Sequence, residues 1–527
     1  MAHPRGVPHT PTVWAAEAMV ASVDHLASSA GLRALEQGGS AVDAAIAANA
    51  VLTITSQHMC GLGGDLWALV STDGGVACLN ASGRAGSGAD PERLRAAGHT
   101  TMPHRDEVGS APVPGVVDGW LALHERHGRL SFADLIAPAI DIAERGFAAS
   151  SQLAASSANV ASVAGNTALA GVAAGEIVRR PRVARNLRAL VAEGREGWYG
   201  GEFGEALIDL GAGEYTAADL AESQADWVEP AALDAWGHRL WTAPPNSQGY
   251  LSVAGAWIAS GLDLPDDPTD PLFAHLLIES ARAAAYDRPD ALHEHAEWAA
   301  LLSPQNLGPR RDRIRPDGIV DWGDRHAGGG TMYLCVVDGD GMGVSLIQSN
   351  ANGFGCHLMV GDTGVFLHNR GIGFNLEAGH PAEYGPGRRP PHTLSPALIT
   401  HADGSLRSVL GTMGGDAQPQ VVLQMMARML HLGERPGSIL SAPRFALASP
   451  EPMSGFDTWS AGGDVRVRLE PHAPWESALR DLGHRVEMAT VAEMSGFGHA
   501  HLIEVRDTGA LAGAADPRAF ASAALGR

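Results

Sequence analysis

The segment GGGTMYLCVVDGDGMGVSLIQS, Gly328 to Ser349, sets two apolar runs on either side of Asp338-Gly339-Asp340-Gly341. Val, Ile, Leu and Tyr dominate these runs, and a Gly/Asp turn separates them, so the segment predicts an antiparallel hairpin. Its first strand opens on Thr331, directly after three glycines. A threonine at a chain N-terminus is a self-sufficient nucleophile. Its hydroxyl attacks, and its own α-amine, with an unperturbed pKa of about 7.7–8.0, is a base poised near neutrality. An internal threonine reaches that state only when the peptide bond before it breaks. The glycines would let the backbone adopt the strained turn in which the Thr331 hydroxyl attacks the Gly330 carbonyl. Taken alone, the same letters also describe a flexible loop leading into a strand.

Downstream of the hairpin, strands are expected at GVFLHN (364–369), PALITH (396–401) and SVLGTM (408–413), then a helix over 418–432. Upstream, residues 28–37 read as an amphipathic helix stopped by Gly38-Gly39, and Ser40 is placed to cap a second helix, AVDAAIAANAVLTI. Cys60 to Asp65 then turns the chain into LWALVST, whose partner VACLNAS follows a tight Asp73-Gly74-Gly75 turn. Largely helical patterns run from Pro114, including residues 271–286. The result is an α/β fold built on antiparallel sheet rather than a Rossmann alternation. There is no 20–50-residue repeat and no low-complexity linker, so the two halves should pack as one body.

Composition narrows the chemistry. Among 527 residues, 37 are Lys or Arg and 59 are Asp or Glu, so the net charge is 37 − 59 = −22. Every one of the cations is arginine. Without lysine there is no P-loop or kinase lysine, no pyridoxal Schiff base and no Ser-Lys dyad. A net acidic chain is a poor binder of nucleic acid, whose phosphates need clustered positive charge. With 45% hydrophobic and 18% charged residues the chain has the balance of a large globular enzyme. Its four cysteines show no CxxC spacing, which fits reduced, buried thiols. The first residues carry no basic segment followed by an apolar one, and the uncharged stretch 146–175 lacks the apolar density of a membrane span. A cytoplasmic protein without membrane partners is the expectation.

A second candidate stretch is Leu410-Gly411-Thr412-Met413-Gly414-Gly415-Asp416, which sets adjacent glycines between a strand and a helix. Their backbone N–H groups could form an oxyanion hole, aided by the helix N-terminus, or the stretch is an ordinary strand-to-helix turn. Arg84, in ASGRAG, suits bidentate capture of a carboxylate, although a surface ion pair would look the same. Other signals fade. His293-Glu294-His295 puts its histidines at i and i+2, which diverge on a helix, so no metal site is expected there. GLGGD (61–65) lacks dinucleotide-site spacing, and no serine sits in a G-x-S-x-G elbow.

These residues, taken in order, resemble the γ-glutamyltransferase family of N-terminal-nucleophile hydrolases over nearly the whole chain. The likeness runs from MVASVDHLASSAGLRALEQGGSAVDAAIAANAVL and GLGGD through APVPGVVDGWLALHERHGRLSFADL, PPNSQG and HLLIESARAAAYDR. It continues in TMYLCVVDGDGMGVSLIQSN, TGVFLHNRGIGF, RRPPHTLSPALI, GTMGGDAQPQVVLQ and GAADPR. The resemblance implies a four-layer αββα sandwich and a zymogen that cleaves itself between Gly330 and Thr331. The products would be a large segment, 1–330, and a small segment, 331–527, held together as a heterodimer that can pair again. It implies a covalent acyl-Thr331 intermediate resolved by water or an acceptor amine, with no cofactor or metal. By position, Ser349 stands where the family has a threonine that bonds the nucleophile, and Gly414 and Gly415 fall on the oxyanion pair. Arg84 falls on the arginine that grips the substrate carboxylate. His392 and Thr393 take the place of two serines in the substrate pocket.

The departures bear on substrate. The family's acidic residue for an α-ammonium is Gly373 here, and its neighbouring glutamine is Arg370. A cation beside a lost anion disfavours a free α-ammonium and favours a carboxylate-bearing substrate without positive charge. An aspartate placed at 373 would be expected to recover some γ-glutamyl activity. The second threonine after the nucleophile is Met332, and the segment between Phe374 and Arg389 is shorter than the lid of lid-bearing members, which favours hydrolysis over transfer. The expectation is an amidohydrolase acting on a small, carboxylate-bearing, oxamate-like amide, as in the family's oxamate amidohydrolase branch. The alternatives are an ordinary γ-glutamyltransferase or glutathione hydrolase, and a member that keeps the fold without catalysis.

Overall fold

The computed structural model describes residues 9–322, 331–448 and 465–527. Two seven-stranded sheets stack face to face. One runs, in order, through strands Ala523–Gly526, Met19–Ser22, Met332–Val337, Gly343–Ser349, Asp65–Thr72, Gly75–Ala81 and Asp226–Val228. The other runs through Val13–Ala15, Leu511–Ala515, Ala500–Val505, Leu406–Thr412, Ala397–Thr400, His238–Thr242 and Ala231–Ala235. Neighbours within both sheets pair antiparallel. Met19, Trp67, Tyr333 and Ile347 from the first sheet meet Leu398, Val409, Ile503 and Leu511 from the second in a buried inter-sheet layer.

Helices cover both outer faces and complete the four-layer αββα sandwich. On the first sheet lies helix Ala41–Thr55, of which every residue is buried. Such a helix must be apolar on nearly all sides, and its sequence, mostly Ala, Val, Ile and Leu, meets that demand, while the buried Asp43, Asn49 and Thr53 are hydrogen-bonded. Ser40 starts it with a capping box shared with Asp43, an arrangement that contributes about 1 kcal/mol. On the second sheet lie helices Tyr250–Ser260, Pro271–Ala284 and Gln418–Leu430, whose inner faces form a separate core.

Each sheet mixes strands from before and after residue 331, so chain on both sides of that point builds one body. The hairpin read from the sequence is present, with Met332 opposite Gln348 and Val337 opposite Gly343. The expected strand at 364–369 is not: Phe366 and Leu367 make isolated bridges to Met359 and Gly63. The physical reason is the lack of a long neighbour, since two loops flank this segment and each offers a single rung. Cys60, Cys78, Cys335 and Cys356 are all buried free thiols. No helix among the described residues is long and apolar enough to cross a membrane.

Candidate active site

Sheet register brings three polar side chains into one row. Thr331 precedes Met332, which pairs with Gln348, so it lies beside Ser349, and Ser349 pairs with Asp65 on the next strand. Thr331 Oγ1 and Ser349 Oγ are 3.3 Å apart, and all three residues are fully buried. Ser349 Oγ also accepts the Ala351 N–H at 2.7 Å. Ala351 itself sits at φ 67°, a conformation that is costly for a residue with a Cβ and is typical of functional loops. Gly330, the other half of the expected scissile bond, lies outside the described residues.

The glycine pair approaches from the facing sheet. A Cβ on Gly411 would stand 2.4 Å from the Tyr333 ring, so this glycine lets strand 406–412 settle on Tyr333, two residues beyond Thr331. The chain then turns through Gly414 at φ 138° and Gly415 at φ 56°, conformations open to glycine. Neither N–H finds an acceptor among the described residues. Helix Gln418–Leu430 follows at once, and its N-terminal end adds positive potential to the same spot.

A buried polar relay holds this turn. Gln248 Nε2 donates to the carbonyls of Gly415 (2.9 Å) and Thr393 (3.0 Å), while its Oε1 accepts from Arg288 Nη2 at 2.9 Å. Arg288 Nη2 also donates to Asp416 Oδ1 at 2.7 Å. Burial pushes the Asp416 carboxyl up to about 7, against the pull of Arg288 and Arg370.

Around Asp65 the charges are wholly enclosed. Its Oδ2 accepts from Arg370 Nε at 2.7 Å and lies 2.9 Å from His392 Nε2 and 3.3 Å from His368 Nδ1. Burial alone would raise the Asp65 carboxyl, but Arg370 and His392 outweigh it and hold it well below the usual carboxylate range. Burial, then Arg370, push His392 down to about 4. Neutral His392 fits the contacts, since its Nδ1 accepts the Leu394 N–H and its Nε2 faces Asp65. Arg370 Nη1 donates to Thr393 Oγ1 at 2.9 Å. Arg370, His392 and Thr393 are thus brought together, with Asp65 as their common anchor.

Arg84 belongs to a second, more open cluster. Its Nη2 donates to Asp226 Oδ2 at 2.6 Å, and Arg389 Nη2 donates to the same oxygen at 2.7 Å. The Arg84 side chain is 24% exposed and Asp226 45%, whereas Arg389 is 5%. Two cations on one carboxylate leave one positive charge in excess. Hydrogen bonds tie this cluster to the rest of the site: Arg389 donates to Ser82, Asn246 donates to Ser82 and Pro390, and the His392 N–H donates to the Asn246 carbonyl.

Gly373 has no room for an acid. A Cβ there would stand 2.4 Å from the Pro391 carbonyl oxygen, so the expected gain from an aspartate at 373 is corrected: the side chain would collide with backbone beside His392. Sequence reasoning gave no role to Asp65, Asn246, Gln248, Arg288 or His368. Each lies inside a quoted motif (GLGGD, PPNSQG, HLLIESARAAAYDR, TGVFLHNRGIGF), and a polar residue fixed within an apolar or glycine-rich run was the signal available.

Residues 27–526 match the gamma-glutamyltranspeptidase family. The chain is 34% identical over 532 residues to the oxamate amidohydrolase proenzyme of Klebsiella pneumoniae, covering 96% of this chain and 98% of that one. It is 32% identical over 521 residues to the glutathione hydrolase-like YwrD proenzyme of Bacillus subtilis, covering 95% and 97%. Among solved structures it resembles the cephalosporin acylase of Bacillus halodurans with a TM-score of 0.89 and 31% identity, covering 100% of this chain and 99% of that one.

Proposed function

The chain belongs to the gamma-glutamyltranspeptidase family, and on that premise we propose that it cleaves itself between Gly330 and Thr331 and then hydrolyses a small carboxylate-bearing amide. Enzymes of this family act on amide bonds as hydrolases and acyltransferases. In the proposed reaction the Thr331 α-amine takes the proton from Oγ1, which attacks the amide carbon. The N–H groups of Gly414 and Gly415 receive the oxyanion. The protonated α-amine returns its proton to the departing nitrogen, leaving an acyl ester on Thr331. Water, activated by the same amine, attacks the ester, and the acid leaves. Ser349 Oγ holds the Thr331 hydroxyl in the attacking rotamer. No step calls for a cofactor or metal.

The observation that carries this reading is the meeting of Thr331 with Ser349 at 3.3 Å; Gly414 and Gly415, whose N–H groups have no acceptor among the described residues, follow the strand that packs on Tyr333 and support it. The word proenzyme in the names of the two relatives supports self-processing. The mixed sheets would then keep segments 1–330 and 331–527 together as a heterodimer after the cut. Intact mass under denaturing conditions tests it. Two masses summing to the chain, the smaller beginning at Thr331, are expected, and a single full-length mass from active protein would overturn the proposal.

The substrate reading rests on charge. The excess positive charge at Arg84, Arg389 and Asp226 suits a carboxylate, and position 373 offers no anion for an α-ammonium. An oxamate-like amide meets both conditions, as the Klebsiella relative's name does. The likeness to the YwrD protein favours a second reading, a glutathione hydrolase. Turnover of oxamate against a γ-glutamyl anilide separates the two. The four buried free thiols fit a cytoplasmic, reducing setting.

A further inference from the structure

Away from Thr331, at the start of helix Pro181–Glu193, lies a cavity of about 280 Å³. Its walls are largely apolar, formed by Leu169, Val183, Met359 and Phe366, but Arg179 and Arg180 also line it. Arg180 is 6% exposed. Its guanidinium donates to the backbone carbonyls of Thr53 and Gly364 and meets no carboxylate among the described residues. Burial by itself pulls it down to about 9, with no acidic neighbour acting against that. Every other arginine buried to this degree in the described site (Arg288, Arg370, Arg389) has an aspartate within 2.7 Å. A buried charge without a counter-charge is costly, and a bound anion would remove that cost.

Two further features point the same way. Arg180 is the N-cap of the helix and provides no side-chain cap. Pro181 has no N–H, and the N–H groups of Arg182 and Val183 have no acceptor among the described residues, so the helix presents its positive end to the cavity. A smaller cavity shares Arg180, Val183 and Phe366 with the first and is closed by Gln57 and Asn350. Gln57 is 3% exposed and neither atom of its amide has a hydrogen-bond partner among the described residues. Asn350 follows Ser349 directly, and its Oδ1 likewise has no partner among the described residues. The polar floor of this second cavity therefore ends one residue from the Thr331 partner.

We propose that this cavity is a second ligand site, distinct from the one at Thr331, for a small carboxylate with an apolar body. The carboxylate pairs with Arg180 and the free N–H groups of the helix, Arg179 adds a second cation at the mouth, and the apolar body packs on Leu169, Met359 and Phe366. The site does not depend on the reading of Thr331.

Calorimetric titration of the purified whole protein, cleaved or not, with phenylacetate tests it, with 2-phenylethanol and inorganic phosphate as the neutral and the body-less probes. Saturable phenylacetate binding is expected, persisting in Arg84→Gln and weakened about tenfold or more in Arg180→Gln by loss of the charge-assisted bonds. Arg179→Gln, at an exposed side chain without partners among the described residues, keeps the test available should the Arg180 variant not fold, and is expected to weaken binding several-fold. Phenylethanol and phosphate should each bind about tenfold more weakly than phenylacetate. Binding unchanged in both arginine variants, binding abolished by Arg84→Gln, equal affinity for phosphate, or no saturable binding would overturn the proposal.

Discussion

Asp65 and Asp226 each collect basic side chains from distant parts of the chain, yet the two clusters are built to opposite ends. Asp65 is fully enclosed, and Arg370, His368 and His392 surround one of its oxygens. Asp226 is nearly half exposed and shares a single oxygen between Arg84 and Arg389. Enclosure demands near-neutrality and fixed partners, because an unpaired charge there has no water to turn to. Exposure tolerates an excess charge, and an excess charge at a rim is free to meet a ligand. In the proposed reaction the enclosed cluster would set the shape of the site, through His392 and Thr393, and the open one would recognise the substrate. Arg84 and Arg370, which look alike in the sequence as carboxylate-binding cations, differ in burial and in partner.

The largest effect comes from removing what both clusters serve. Thr331→Ala should leave one uncleaved chain on a denaturing gel and lower turnover by at least about a thousandfold, the scale seen when a catalytic nucleophile is lost. Two fragments from this variant would detach both clusters from the proposed chemistry and undo the comparison at its root.

Next comes the enclosed cluster. Asp65→Asn leaves Arg370 buried beside a neutral amide, and breaking a buried pair from one side costs about 3–5 kcal/mol. A fall of that size in unfolding free energy, read from the denaturant midpoint, is expected, with partial recovery in the double variant Asp65→Asn/Arg370→Gln. A midpoint unchanged by Asp65→Asn would mean the cluster is not the structural anchor that its burial implies.

The open cluster should respond in kinetics instead. Arg84→Gln is expected to raise KM for a carboxylate-bearing amide about tenfold while kcat and the unfolding midpoint stay close to wild type, the pattern of an interaction shared by ground and transition states. The same replacement at Arg370 should lower the midpoint. If Arg84→Gln lowered kcat and left KM alone, the open cluster would be positioning rather than recognising.

Much of this was legible in the sequence. The hairpin at 332–349, the capped helix after Ser40 and the strand-to-helix turn at Gly414-Gly415 follow from local pattern, whereas Ser349 is placed by family resemblance, and the register that sets it beside Thr331 is one residue off what a turn at 338–341 alone implies. The partnership of Asp65 with Arg370 does not, because 305 positions separate them and no local periodicity links them. The failed strand at 364–369 has the same origin: its apolar letters were right for a strand, but strand formation needs a neighbour, and the neighbours here are loops. The crowding at Gly373 was equally invisible, since the carbonyl that fills the space belongs to Pro391. Position in a motif located residues of the site; only packing assigned them to the enclosed or the open cluster.

Asp416 tests the enclosed side most finely. It lies next to Gly415 and pairs with Arg288, yet burial raises its carboxyl from 3.8 to about 7. The folded protein therefore holds a proton there that the unfolded chain releases between about pH 4 and 7. Over that window the unfolded state binds fewer protons than the folded one, so the Asp416 contribution to stability is full below about pH 4 and is lost as the pH rises through 7. Asp416→Asn should keep the Arg288 contact, remove the titration and flatten this decline in an unfolding series across that range. Turnover should change in the same direction only slightly, because the Gln248 amide holds the Gly415 carbonyl whether or not Asp416 is charged. A decline that persists in the variant would place the titrating group elsewhere. A large pH-dependent loss of kcat restricted to wild type would mean that the charge on Asp416 reaches the glycine turn directly, and that enclosure at this point tunes the chemistry as well as the shape.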